Sequence, residues 1–401
     1  MLEETTTRTG SGLTQDPAGD PSSMQQFAAA QPLQTLAGDS AIQFIDLAVD
    51  EAVAAGVSDR YFECRDRSFS AEAPSLHQVT LDENGVFLHP LTETVTDPSL
   101  TYAINGRKAL DAFLDCWIPL PFMRSGDGFT DPPAIEESPS NWVRLFIHKN
   151  LENTARPHYK IVLAIDTALE TPSDADTRST FAPSLADALD GTIFRSSADV
   201  NHIGWFVTEP WVDEWLMEAF REGRARDVTG VPATNSAPGS TLEHLAHYLT
   251  LLAVLAETRV LPRISFLSPV RTAGGIGTAI PVDLVVDIGV SRTIALLSET
   301  TGIASTEPVM SLLPLRDLTR PWISHCGALA SRIEFSRATF GKEVYSRWSR
   351  RTNAFHWPSI ARIGTEATRL ASEQSSADAF TGLSSPMRYL WDDRPSRHDI
   401  A

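Results

Sequence analysis

Residues 282–299, VDLVVDIGVSRTIALLSE, constrain the fold more tightly than any other stretch of the chain. Two runs, Leu284-Val285-Val286 and Ile294-Ala295-Leu296-Leu297, are strand-like and too short for buried helices. They should form adjacent antiparallel strands. The break between them sets a carboxylate, Asp287, at a strand end. It continues with a glycine, Gly289, that lets a ligand approach the backbone, then with the hydroxyl residues Ser291 and Thr293 flanking Arg292. That combination suits a phosphate tail carrying magnesium: Asp287 would hold water-coordinated Mg²⁺, and the backbone of residues 289–293 would cradle phosphate oxygens. The same residues also suit an ordinary hairpin in which Asp, Gly and Ser simply make the turn.

The 401 residues, 42% apolar and 21% charged, are enough for two domains with buried cores and read as a soluble globular protein. A formal charge of -18 argues against attraction to nucleic acid or to an anionic membrane surface. Three scattered cysteines, Cys64, Cys116 and Cys326, form no metal or disulfide framework and fit a reducing compartment. The N-terminus lacks the apolar core of a secretory signal, and the longest apolar stretch, LTLLAVLA, falls far short of the roughly 20 residues a spanning helix needs. The reading is cytoplasmic, without membrane insertion, and leaves open export by a route that uses no cleavable signal.

Four regions are expected. Residues 1–37, polar and without period, read as a disordered tail. Residues 38–265 read as an α+β domain that starts with the alternation at Ile42 and Phe44. Within it, Asn84-Gly85 marks a hairpin, and NWVRLFIH and YKIVLAID mark a strand pair. Pro210 opens a helix whose Trp211, Trp215, Leu216, Ala219 and Phe220 share a face, and Ser240 with Glu243 is a capping-box candidate for the next helix. Glycines and prolines in residues 266–281 mark a linker, and residues 282–401 follow as the last region.

Other motifs are weaker. TFGKEV has Ser336 where a P-loop needs glycine and Glu343 where it needs Ser or Thr, and GGIGTA lacks the third glycine of a dinucleotide fingerprint. The basic, aromatic run from Arg332 to Arg362 reads as contacts to other parts of the fold or a solvated face rather than as a nucleic-acid surface, given the acidic chain. His244 and His247 have helix-face metal spacing without a third ligand; Asp166-Thr167 reads as a turn or cap; His356 and Ser359 lack a positioned acid.

The 282–299 stretch resembles the opening phosphate-binding hairpin of the actin and Hsp70 ATPase superfamily, in the form found in the SrfB-like bacterial virulence factor family. LPLRDLTRPW, SRIEFSRATFG, RTNAFHWPSIARIGTEATRLA and TGLSSPMRYLWDD continue the resemblance downstream, and AIQFIDLAVD, WIPLPFMR, SPSNWVRLFI and VLAIDTAL carry it upstream. It covers about residues 40 to 393. The chain departs from the family pattern in having Val290 where Asn is usual in the turn, and Met387 where Lys is usual.

The resemblance implies an α+β N-terminal domain followed by the first part of an α/β actin/Hsp70-like (ribonuclease H-like) ATPase domain. It also implies ATP and Mg²⁺ as cofactors in a full-length member, held by Asp287, Gly289, Ser291, Arg292 and Thr293 with Asp287 toward the metal, and a protein partner from the same virulence operon. Family members are usually longer, and no second Asp-x-Gly hairpin follows Thr293, so the chain is expected to be the N-terminal part of such a protein. Half a clamp is not expected to turn over ATP, because phosphoryl transfer needs several positioned groups at once. The alternative is a non-catalytic scaffold of a virulence operon that has lost nucleotide binding.

Overall fold

The computed structural model describes residues 31–65, 75–125, 141–151, 157–170, 182–226, 242–268, 282–299, 308–349, 351–373 and 382–389. The chain is mixed α+β, with several small sheets and few helices. It opens with β1 (Leu33–Ala37), β2 (Ile42–Asp50) and α1 (Glu51–Ala55). A run of β3 (Arg60–Arg65), β4 (Ser75–Leu81), β5 (Phe87–Leu88) and β6 (Thr101–Ile104) follows, forming one antiparallel sheet in the order β5-β4-β3-β6. Gly85, at φ 79°, turns β4 into β5, and Asp82 accepts the Asn84 and Val86 amides, as the Asn-Gly signal predicts.

After α2 (Gly106–Asp111) come β7 (Trp117–Pro119), β8 (Met123–Arg124), β9 (Val143–Asn150) and β10 (His158–Asp166). The order β2-β10-β9-β7 forms the central sheet, with β9 and β10 paired as their apolar runs predict. These runs are nearly continuous because both faces are covered. On one face the Tyr159 hydroxyl donates to Asp111 of α2. The opposite face presents Arg144, Phe146 and His148, met by Trp322, Phe340 and Phe355 from far along the chain.

Next come α3 (Leu185–Asp190), β11 (Phe194–Arg195), α4 (Val200–Val207), α5 (Pro210–Arg226), α6 (Glu243–Glu257) and β12 (Arg263–Leu267). The five apolar residues predicted to share one face of α5 are all buried. Helix α6 begins at Glu243 behind an N-cap Leu242 that makes no side-chain cap bond; Ser240 of the predicted capping box lies outside the described residues. Order begins earlier than the alternation at Ile42 suggests. Residues 33–37 form β1 and pair in parallel with β12, a partner 230 positions away that no local pattern reveals. Residues 1–30 of the predicted tail lie outside the described residues.

The last part starts with β13 (Val282–Ile288), β14 (Arg292–Glu299) and β15 (Val309–Leu312), an antiparallel sheet that β18 (Leu329–Ala330) joins at the Arg292 end of β14. β16 (Leu315–Arg316) and β17 (Ser324–His325) make a short ribbon. β19 (Arg332–Phe335) lies between β20 (Ala361–Ile363) and β21 (Leu383–Ser384), with α8 (Gly364–Glu373) against it, and α7 (Glu343–Trp348) packs on α5 through Tyr345 stacked on Trp215. One buried apolar cluster runs from Leu36 to Phe355, so the segment after residue 316 shares a core with the central sheet. The β13–β15 sheet stands outside that core. Leu284 and Val285 point to opposite faces and are 57% and 52% exposed, so neither face of β13 is covered.

Candidate functional site

The turn from β13 to β14 is built by backbone and one outside hydroxyl. Ile288 pairs with Thr293, and the Gly289 amide donates to the Arg292 carbonyl at 2.9 Å, leaving Val290 and Ser291 at the tip. A Cβ on Gly289 would stand 2.6 Å from the Arg292 carbonyl oxygen, so this tight closure requires glycine. Ser331, next to β18, fixes the turn from the side. Its amide donates to the Ser291 carbonyl at 3.0 Å and its hydroxyl donates to the Gly289 carbonyl at 2.8 Å. With that proton committed, the Thr293 hydroxyl must be the donor in the 2.8 Å contact to Ser331 Oγ.

The Gly289, Ser291 and Arg292 carbonyls and the Thr293 hydroxyl are thus used internally, whereas no described residue accepts from the Val290 or Ser291 amide. Val290, Ser291 and Arg292 are exposed. Asp287 is exposed too, with no ion-pair or hydrogen-bond partner among the described residues. Alternation sets Asp283, Asp287 and Arg292 on one face with Val285, Ile294 and Leu296. Among the described residues no three His, Cys, Asp or Glu side chains gather to hold a metal. Asp287 alone could not hold a metal; a magnesium ion carried by phosphate would meet it through the ion's water shell.

The other candidates resolve into structural roles. His244 is buried with Nε2 2.6 Å from Asp213, and His247 Nδ1 lies 3.0 Å from the Glu243 carbonyl, so the two rings have separate partners. Asp166 accepts the Ala168 amide at 3.1 Å, the turn contact expected of it, and also the Phe355 amide at 2.8 Å. Within the basic stretch, Arg362 is buried and donates to the Ser336 and Ser359 carbonyls, and Arg351 lies 3.6 Å from Asp166. These arginines are internal contacts of the fold.

Sequence reasoning missed Arg144. In NWVRLFIH it takes the place of a polar residue on an exposed strand face, yet it is only 1% exposed. Its guanidinium lies 3.9 Å from the Phe355 ring centre and 4.9 Å from that of Trp215, and it donates to the Phe340 carbonyl and, at 2.6 Å, to Ser346 Oγ. Burial pushes its pKa down to about 9, with Asp166 opposing and Arg351 reinforcing, so it stays charged at neutral pH. The signal available in the sequence was an arginine inside an otherwise apolar strand run.

No described helix is long and apolar enough to cross a membrane. No curated protein and no solved structure matches the chain. The family model described as virulence factor SrfB matches residues 24–400. With nearly its whole length matched, the chain belongs to the SrfB virulence factor family.

Proposed function

We propose that this virulence-associated protein binds the phosphate tail of a magnesium–nucleotide at the β13–β14 turn, without turning it over by means of this hairpin alone. The observation that carries the reading is the open tip: the Val290 and Ser291 amides are uncommitted while Ser331 holds the neighbouring carbonyls away. Those amides would donate to phosphate oxygens, Arg292 would add positive charge, and Asp287 would orient magnesium through its water shell. Gly289 keeps the turn tight, and Thr293, its hydroxyl held by Ser331, would contribute through the strand pairing that anchors the turn. On this reading β13–β15 is the opening of an actin/Hsp70-like domain. A fluorescent ATP analogue titrated into the full chain with and without magnesium tests it: binding that needs magnesium, and that ATP but not AMP displaces, supports the reading, and its absence refutes it.

The exposed sheet favours a second reading, a scaffold that docks a protein partner of the same operon. Leu284, Val285, Val309 and Met310 are each more than half exposed, an apolar area of the kind that marks interaction surfaces. A scaffold of this type would give no nucleotide signal in the same titration.

A further inference from the structure

A cavity of about 410 Å³ lies between the central sheet and the segment from Arg337 to Ile360, and Arg144 is part of its lining. That volume is in the range of small-molecule sites. Arg144 makes no ion pair with any described carboxylate, and its Nε–H is buried without an acceptor. Asp166, the nearest candidate to neutralise it, spends one oxygen on the Ala168 amide and the other on the Phe355 amide, and lies toward Arg351. A buried cation with an unused donor is costly unless something completes it. The remaining lining fits an anion with an apolar body. Phe355 and Trp357 supply aromatic surface, Arg337 and His356 stand exposed at the mouth, and Glu343 is the one carboxylate among the described lining residues.

We propose that this cavity binds a small aromatic or similarly flat molecule bearing a carboxylate or phosphate group, whose oxyanion accepts from Arg144 and whose body packs on Phe355 and Trp357. The guanidinium is already oriented by Phe340, Ser346 and the two flanking rings, so binding costs it little side-chain freedom. The volume suits a small molecule, and the net charge of -18 repels an extended polyanion. The site is independent of the β13–β14 turn and needs no metal.

Phenyl phosphate, benzoate and neutral benzyl alcohol, each titrated into the full chain in the presence of EDTA and followed by ligand-observed NMR and thermal shift, test the proposal. At least one anion should bind saturably and about tenfold or more tighter than benzyl alcohol, as a charge-assisted hydrogen bond implies. The tighter of the two anions identifies the head group. Arg337→Glu, at an exposed position, should weaken anion binding while leaving the fold intact; Arg144→Gln should abolish it if the variant folds. Asp287→Ala should leave it unchanged. Anions binding no better than benzyl alcohol, no saturable binding at millimolar ligand, or loss of binding in Asp287→Ala would each overturn the proposal.

Discussion

The Ser331 hydroxyl donates to the Gly289 carbonyl across 2.8 Å, tying the start of β19 to the turn between β13 and β14. This bond, with the Ser331 amide on Ser291, holds the tip of an otherwise exposed hairpin in one conformation. Ser331→Ala should cost about 1 kcal/mol, the net worth of a typical hydrogen bond, and free the Thr293 hydroxyl. Hydrogen exchange should show the Gly289 amide, bonded to the Arg292 carbonyl, exchanging faster in the variant. Unchanged protection there would mean that Ser331 does not set the turn.

A pH effect should come from Glu366, a buried residue of α8 that accepts the Leu318 amide at 3.0 Å and the Thr319 amide at 3.1 Å. Burial pushes its pKa up to about 7, reinforced by Asp317 and opposed by Arg362 and the two amides. The folded state therefore keeps a proton that the unfolded chain releases near its ordinary value of 4.5. Stability from this group is full below that value and falls as pH rises toward about 7, by at most about 1.4 kcal/mol per unit. Glu366→Gln keeps an oxygen for both amides and cannot ionise. Denaturant melts between pH 5 and pH 8 should show a smaller decline in the variant and higher stability than wild type above pH 7.

Asp187 should act with the opposite sign. Burial raises its pKa, but hydrogen bonds from the Arg124 fork at 2.8 Å and from Ser184 outweigh burial and hold it at about 2. Its stabilising contribution is present above the ordinary carboxylate value and is lost as pH falls toward about 2. Arg124→Met should be less stable than wild type at neutral pH, and the gap should narrow as pH drops from 4 to 2. A gap that stays constant over this range would show that the pair does not stabilise α3.

Much of this was legible locally. The apolar runs of β9 and β10 announce a strand pair, Asn84-Gly85 announces its hairpin, and the β13–β14 pairing follows from two short apolar runs around a tight break. What stayed hidden depends on distant partners. β1 reads as tail because its strand partner among the described residues, β12, lies 230 positions further along. The burial of Arg144 stays hidden because Phe340, Ser346 and Phe355, which enclose it, arrive about two hundred positions later. Ser331 gives no sign in the sequence that it clamps the turn; only the pairing of β14 with β18 brings it there. The exposure of β13 was equally illegible, since a strongly apolar strand predicts burial.

Calorimetry of the full chain with Mg·ATP, comparing wild type, Asp287→Ala and Asp283→Ala, is the most direct test of the turn as a phosphate site. Asp283 shares the face of Asp287 but lies a full strand step and more from the tip, so it controls for charge alone. A phosphate site at the turn should give a saturable heat of binding that survives Asp283→Ala and weakens about tenfold or more in Asp287→Ala. No heat with wild type, or equal affinity in Asp287→Ala, would contradict it.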